Sequence, residues 1–256
     1  MQRDTSIKAM RLAAVFLFLL LFGHPLCAVG EGWRLPPLPP AETYGDLLLD
    51  RVASRNQVKP VAFSHGVHRR KFTCRVCHSE LGFQMEPGAT EISEAANRKG
   101  AFCGACHDGK TSFALQGNCA RCHGGRPGQE KRAELSGLPA TRYGYGRDWV
   151  MARQEKLITP ADSLNTPSTP IILDNVLTLE ARWDFIPSSI FPHGTHTEQL
   201  DCNSCHPDPF TIQKKGTKDF TMEAMLNREF CGACHRNVAF PLHDCKRCHP
   251  QMSEGW

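Results

Sequence analysis

Six times in 256 residues the chain writes two cysteines three positions apart with a histidine directly after: "CRVCH" 74–78, "CGACH" 103–107, "CARCH" 119–123, "CNSCH" 202–206, "CGACH" 231–235 and "CKRCH" 245–249. These motifs use every cysteine except Cys27. Two thiols at that spacing can reach two vinyl groups along one porphyrin edge and form thioether bonds, and the next residue then sets an imidazole beneath the iron. The pattern is the attachment sequence of c-type haem. It predicts six covalent haem c groups, on Cys74/Cys77, Cys103/Cys106, Cys119/Cys122, Cys202/Cys205, Cys231/Cys234 and Cys245/Cys248, with iron held by His78, His107, His123, His206, His235 and His249. A zinc half-site or a disulfide in an exported protein also uses Cys-x-x-Cys, but neither calls for histidine in the fifth position every time.

An iron with one histidine still has an open face, and what fills it separates electron transfer from catalysis. Leaving aside His24, the spare histidines are His65, His68, His193, His196 and His243. Four of them stand in "FSHGVH" 63–68 and "FPHGTH" 191–196, 128 positions apart, the same offset that separates "FCGACH" 102–107 from "FCGACH" 230–235. Residues three apart on a helical turn point the same way. Two ligands of one iron must face each other, so each pair is expected to serve two different haems.

The order Phe-x-His-x-x-His followed by three attachment motifs, over 61–123 and 189–249, resembles the class III cytochromes c, in particular the three-haem cytochrome c7 type of metal- and sulfur-reducing bacteria. The resemblance implies His65 for the haem on Cys74/Cys77 and His68 for that on Cys103/Cys106. It likewise implies His193 for Cys202/Cys205 and His196 for Cys231/Cys234. It also implies a distal histidine just before each middle motif, and here the chain departs: "ANRKGAF" 96–102 and "MLNREF" 225–230 contain none. The haems on Cys119/Cys122 and Cys245/Cys248 therefore need another ligand or keep an open site. Met85, Met222, Met225 and His243 are the candidates. Met222 and Met225 lie three apart in "MEAML", behind the helix-capping Thr221, a spacing that also suits packing. His243, two residues before Cys245, is awkwardly placed for its own haem and suits a neighbour's iron or a propionate.

These sites need little regular structure to position them. His78 to Cys103 and His206 to Cys231 both enclose 24 residues, so the chain reads as a tandem duplication of a triheme module, with a continuous six-haem chain expected from stacking of the copies. The fold class expected is mainly irregular chain with short α-helices, two c7/c3-like modules organised around covalent haems, and porphyrin faces supplying much of the apolar core. The domains expected are 1–30 signal peptide, 31–60 proline-rich segment, 61–123 first triheme domain, 124–188 connecting segment and 189–256 second triheme domain. Within the connecting segment "IILDNVLTLEARWDF" 171–185 suits a small β-hairpin, with Tyr143, Trp149 and Trp183 as packing residues.

Arg3, Lys8 and Arg11 precede or open the apolar run "LAAVFLFLLLF" 12–22, and small residues follow at 28–30. That is an export signal with Glu31 near the mature start, the rival being an uncleaved anchor. Eleven apolar residues are short against the roughly 20 a membrane span takes. Leu26 argues against lipid attachment at Cys27. Without the signal the chain keeps 27 basic and 25 acidic side chains, with no polybasic run to suggest nucleic acid. Arg69-Arg70-Lys71 and Lys214-Lys215 read as solvated charge, steering groups or partners of haem propionates.

Motifs and resemblance together imply a hexahaem electron carrier rather than an enzyme, serving an anaerobic, metal- or sulfur-reducing respiratory chain. Its partners would be other redox proteins, a quinol-oxidising membrane complex on one side and a terminal reductase or outer-surface cytochrome on the other. Its location would be the periplasm, or alternatively the outer membrane or cell exterior. The competing readings are a multihaem reductase of a small oxyanion acting at a five-coordinate haem, and a cytochrome subunit of a larger respiratory complex.

Overall fold

The computed structural model describes residues 35–124, 133, 135–142, 146–165, 169–211 and 220–253. The export signal, Cys27, Tyr143 and the Lys214-Lys215 pair lie outside them. Residues 35–256 form one compact unit. Among the described residues no helix is long and apolar enough to cross a membrane.

Regular structure is sparse. Two antiparallel two-stranded sheets mark the repeat: β1 (Asp46–Leu49) pairs with β2 (Val61–Ser64), and β3 (Val176–Leu179) pairs with β4 (Ser189–Pro192). Leu47 faces Phe63 in the first and Leu177 faces Phe191 in the second. Each sheet feeds directly into a five-residue helix, His65–Arg69 or His193–Thr197. The remaining helices are one to two turns long, too short to hold themselves together in water, so their stability comes from what they pack on.

The hairpin expected within 171–185 is placed differently. Only β3 lies in that stretch; its partner β4 starts at Ser189. The chain reverses around Trp183, where the Ile186 N–H donates to the Trp183 carbonyl at 2.9 Å. Asn175 is committed elsewhere, its carbonyl accepting from the His193 N–H at 2.8 Å. Within the segment read as proline-rich, Ala41–Thr43 forms a 3-10 turn and β1 follows.

The side-chain core is small. Leu135, Leu138, Ala152 and Ile158 of the connecting segment cluster beneath Trp149. The other buried apolar side chains described are Ala53, Ala62, Val76 and Pro241, all small. Trp183 and Phe185 remain 48% and 66% exposed. So little buried aliphatic surface holds a chain of this length only if something else fills the interior.

Candidate haem sites

The hairpins exist to aim histidines. Leaving β2, the chain turns into His65–Arg69, and the His65 N–H donates to Gly45 O at 3.1 Å, extending the sheet ladder by one rung. His193 makes the same bond to Asn175 after β4. Phe63 then wedges between the two imidazoles, 4.8 Å from His65 edge-on and 4.5 Å from His68 nearly stacked. Phe191 does the same, at 4.8 Å from His193 and 4.4 Å from His196. The phenylalanine of the Phe-x-His-x-x-His motif is therefore the spacer that splays its two histidines apart.

Once splayed, the rings meet partners. His65 faces His78 with centroids 6.5 Å apart and planes 5° from parallel. His68 faces His107 at 6.2 Å and 61°, and His196 faces His235 at 6.1 Å and 65°. Imidazole nitrogens bind a first-row metal at roughly 2 Å, so two rings across one iron have centroids roughly 6 Å apart. The three gaps are of that size.

The opposite edge of each ring is tied down. Nδ1 of the six motif histidines contacts a backbone carbonyl: His78 to Phe83 (2.8 Å), His107 to Phe113 (3.2 Å), His123 to Lys59 (2.6 Å), His206 to Phe210 (2.6 Å), His235 to Phe240 (3.1 Å) and His249 to Pro187 (2.7 Å). The spare histidines follow suit: His65 to Gly45 (2.9 Å), His68 to Ser64 (2.8 Å) and His196 to Pro192 (2.8 Å). A carbonyl can only accept, so Nδ1 carries the proton and Nε2 is left with its lone pair for a metal. His193 and His243 are the exceptions, each with Nδ1 buried and without a hydrogen bond.

Burial sets the charge states. It holds His65 and His235 down at about 4, and pushes His78 and His196 down as well, so all four are neutral at pH 7, as ligands must be. All twelve motif cysteines are free, and among the described residues no group of three or more His, Cys, Asp or Glu converges on a metal site. A cage of thiolates is not built here; pairs of imidazoles facing across a gap are, and these fit haem.

Gly104 and Gly232, the second residues of the two CGACH motifs, answer a packing demand. A Cβ on Gly104 would come 1.8 Å from Asn97 O, and one on Gly232 1.9 Å from Met225 O, because the helices Glu94–Arg98 and Met222–Leu226 press end-on against the motifs. The preceding Phe102 and Phe230 adopt φ of 48° and 49°, an uncommon conformation for bulky residues. Phe102 packs 5.3 Å from Phe83, and Phe230 packs 5.9 Å from Phe210, the residues whose carbonyls hold His78 and His206.

The two third sites differ in burial, Cys122, Cys245 and Cys248 being half-buried. Cys119 is exposed. Met85 is partly buried, and Met222 lies on its short helix, where Thr221 Oγ1 caps Ala224 N at 3.1 Å as expected. His243 lies against the proline-rich segment, lining a cleft with residues 36–39, Arg236 and Leu242. Arg69, read as part of a solvated run, instead sits 5.0 Å over Trp149 and donates to Gln199 Oε1 at 3.2 Å. The roles of Gly45, Asn175, Phe63 and Phe191 were not read from the sequence; extending the repeat upstream pairs "GDLLLD" 45–50 with "NVLTLE" 175–180 and would have found the strands.

The model of the family "Cytochrome c7 and related cytochrome c" matches residues 61–124 and 189–250. The chain belongs to the cytochrome c7 family, with two such domains in tandem. Its haem is therefore c-type and covalently bound, and its chemistry is electron transfer. Solved structures similar to it are the C-terminal hexaheme fragment of GSU1996 (26% identity, 83% of this chain and 99% of that one, TM-score 0.28), the dodecaheme cytochrome c GSU1996 (26%, 75% and 70%, 0.27) and its N-terminal hexaheme fragment (25%, 76% and 94%, 0.24). At these TM-scores the arrangement of the c7 domains rests on this chain's own contacts. No curated protein matches the chain.

Proposed function

We propose that this c7-type chain carries six haems and relays electrons one at a time between redox proteins in an anaerobic respiratory chain, exported to the periplasm, without turning over a substrate of its own. The observation that carries this reading is the set of facing imidazole pairs, His65/His78, His68/His107 and His196/His235, each at iron-spanning separation with Nδ1 anchored. When bound, the haem iron supplies a one-electron redox change, and ligation on both faces suits transfer over substrate binding.

The protein's part is to hold. Backbone carbonyls fix each ring's tautomer and direction, which also raises its basicity as a ligand. Phe63 and Phe191 set the angle between neighbouring ligands, and burial keeps the rings neutral. His193 is assigned as partner of His206 by the repeat. His123 and His249 hold the third haem of each domain from one side, with Met85, Met222 or His243 as the opposite ligand. Donor and acceptor are a quinol-oxidising membrane complex and a terminal reductase or outer-surface cytochrome. Mass spectrometry of the purified chain tests the count, and reductive titration tests the role: six haem additions and six electrons taken up without substrate turnover are expected. Nitrite- or sulfite-dependent reoxidation in steady turnover contradicts the relay and favours a reductase.

A further inference from the structure

The attachment motifs that stand first in each domain touch one another. Arg75, inside "CRVCH", is 5% exposed and directs its guanidinium out of its own domain. Nη2 donates to the carbonyls of Thr197 at 2.7 Å and Leu200 at 3.2 Å. Nε lies 3.2 Å from Asp201 Oδ1, and Nη1 lies 3.8 Å from Asp162 Oδ1 of the connecting segment. The Arg75 backbone N–H donates to Gln199 O at 2.9 Å. Asp201 is the residue before Cys202. On the same seam the hydroxyls of Ser79, next to His78, and Ser204, next to Cys205, are 3.2 Å apart. Arg69 and Arg153 grip the same stretch through Gln199 Oε1 and Glu198 O, each at 3.2 Å.

Haem attachment does not ask for arginine at that position, since the other five motifs carry Gly104, Ala120, Asn203, Gly232 and Lys246 there. Burying a guanidinium is costly unless it is paired and hydrogen-bonded; here both carbonyls taken by Nη2 and the carboxylate beside Nε belong to the other domain, and the carboxylate facing Nη1 belongs to the connecting segment. The arginine's five-donor fork suits several fixed carbonyls and a carboxylate at once; a lysine would not.

We propose that Arg75 is a positioning residue that holds site 74–78 of the first domain against site 202–206 of the second, so that the domains communicate through their first sites rather than in chain order from third site to fourth. This rests on the relay reading above. The order of sites in space then differs from their order in sequence.

The test uses the intact six-haem protein and the variants R75Q, R75K and D201N. Haem content and low-spin signals first establish that both domains are assembled. Two-dimensional exchange NMR of the partly reduced protein then reads how fast electrons redistribute between haems of the two domains. In R75Q inter-domain exchange is expected to slow roughly tenfold or more, as displacements of about an ångström do to reacting groups, while exchange within each domain stays unchanged. R75K should be intermediate. D201N changes a partly exposed partner and should give a smaller slowing; it carries the test if R75Q fails to assemble. Unchanged inter-domain exchange in the assembled variants overturns the proposal. Failure of the relay reading is distinguishable, since it would appear in the unmodified protein as substrate turnover.

Discussion

The two domains are near-copies where local chain geometry decides and differ where distant segments do. Around the Phe-x-His-x-x-His turns the ring distances agree within 0.1 Å, 4.8 and 4.5 Å in one and 4.8 and 4.4 Å in the other. At the third motif they part. Arg247 of "CKRCH" reaches Asp244 at 3.2 Å and Asp148 of the connecting segment at 3.0 Å, and the 1% exposed Asp244 also accepts from Thr141 Oγ1 at 2.9 Å. Arg121 of "CARCH" stacks on Phe113 at 3.9 Å, and Asn118 stands where the second copy has Asp244. Duplication preserved what each turn builds for itself. The connecting segment exists once, so it could brace only one of the two third sites.

The strongest way to break the comparison is to remove the haems. A chain expressed without attachment should lose its compact fold in both copies alike, seen by circular dichroism, because the buried aliphatic core is too small to persist alone. Next come Gly104→Ala and Gly232→Ala. Each places a methyl group into a backbone carbonyl, so each should cost about 1–3 kcal/mol or more in denaturant unfolding, and by similar amounts if the copies are equivalent there. The third sites should behave unequally. Asp244→Asn weakens a buried network in which Arg247 still keeps Asp148 and should destabilise by about 1–3 kcal/mol, whereas Arg121→Gln loses only a ring contact worth about 0.5–1 kcal/mol.

Smaller effects sharpen the picture within one domain. The rings of His65 and His78 are nearly parallel and those of His68 and His107 are crossed, so the first should give a rhombic low-spin ferric signal and the second a strongly axial one, because ring orientation decides whether two iron d orbitals split. Acid should weaken the fold in a stated window. Burial disfavours the protonated form of His65 and His235 in the folded chain, so the unfolded form takes up protons first as pH falls through the ordinary imidazole value of 6.5. Stability should therefore drop below that pH, which unfolding titrations of the haem-loaded protein will show.

The attachment motifs and the histidine pairs were legible because haem chemistry fixes residue type and spacing within five or six positions. Gly104 and Phe102 were visible as repeated letters, but their reasons were not: the carbonyl of Asn97 and the ring of Phe83 arrive from other turns. β3 was half-seen and β1 was missed, because four-residue strands carry too short a pattern to pair by sequence. Arg75 was hidden altogether, sitting at the variable position of a motif and acting across 122 residues on Thr197.

In the proposed relay, facing histidines close both sides of the iron in these domains. Electron paramagnetic resonance of the purified ferric protein, with and without added nitrite or cyanide, tests it most directly. The account predicts low-spin signals throughout, rhombic and strongly axial together, unchanged by either ligand. A high-spin haem that binds nitrite or cyanide would contradict it.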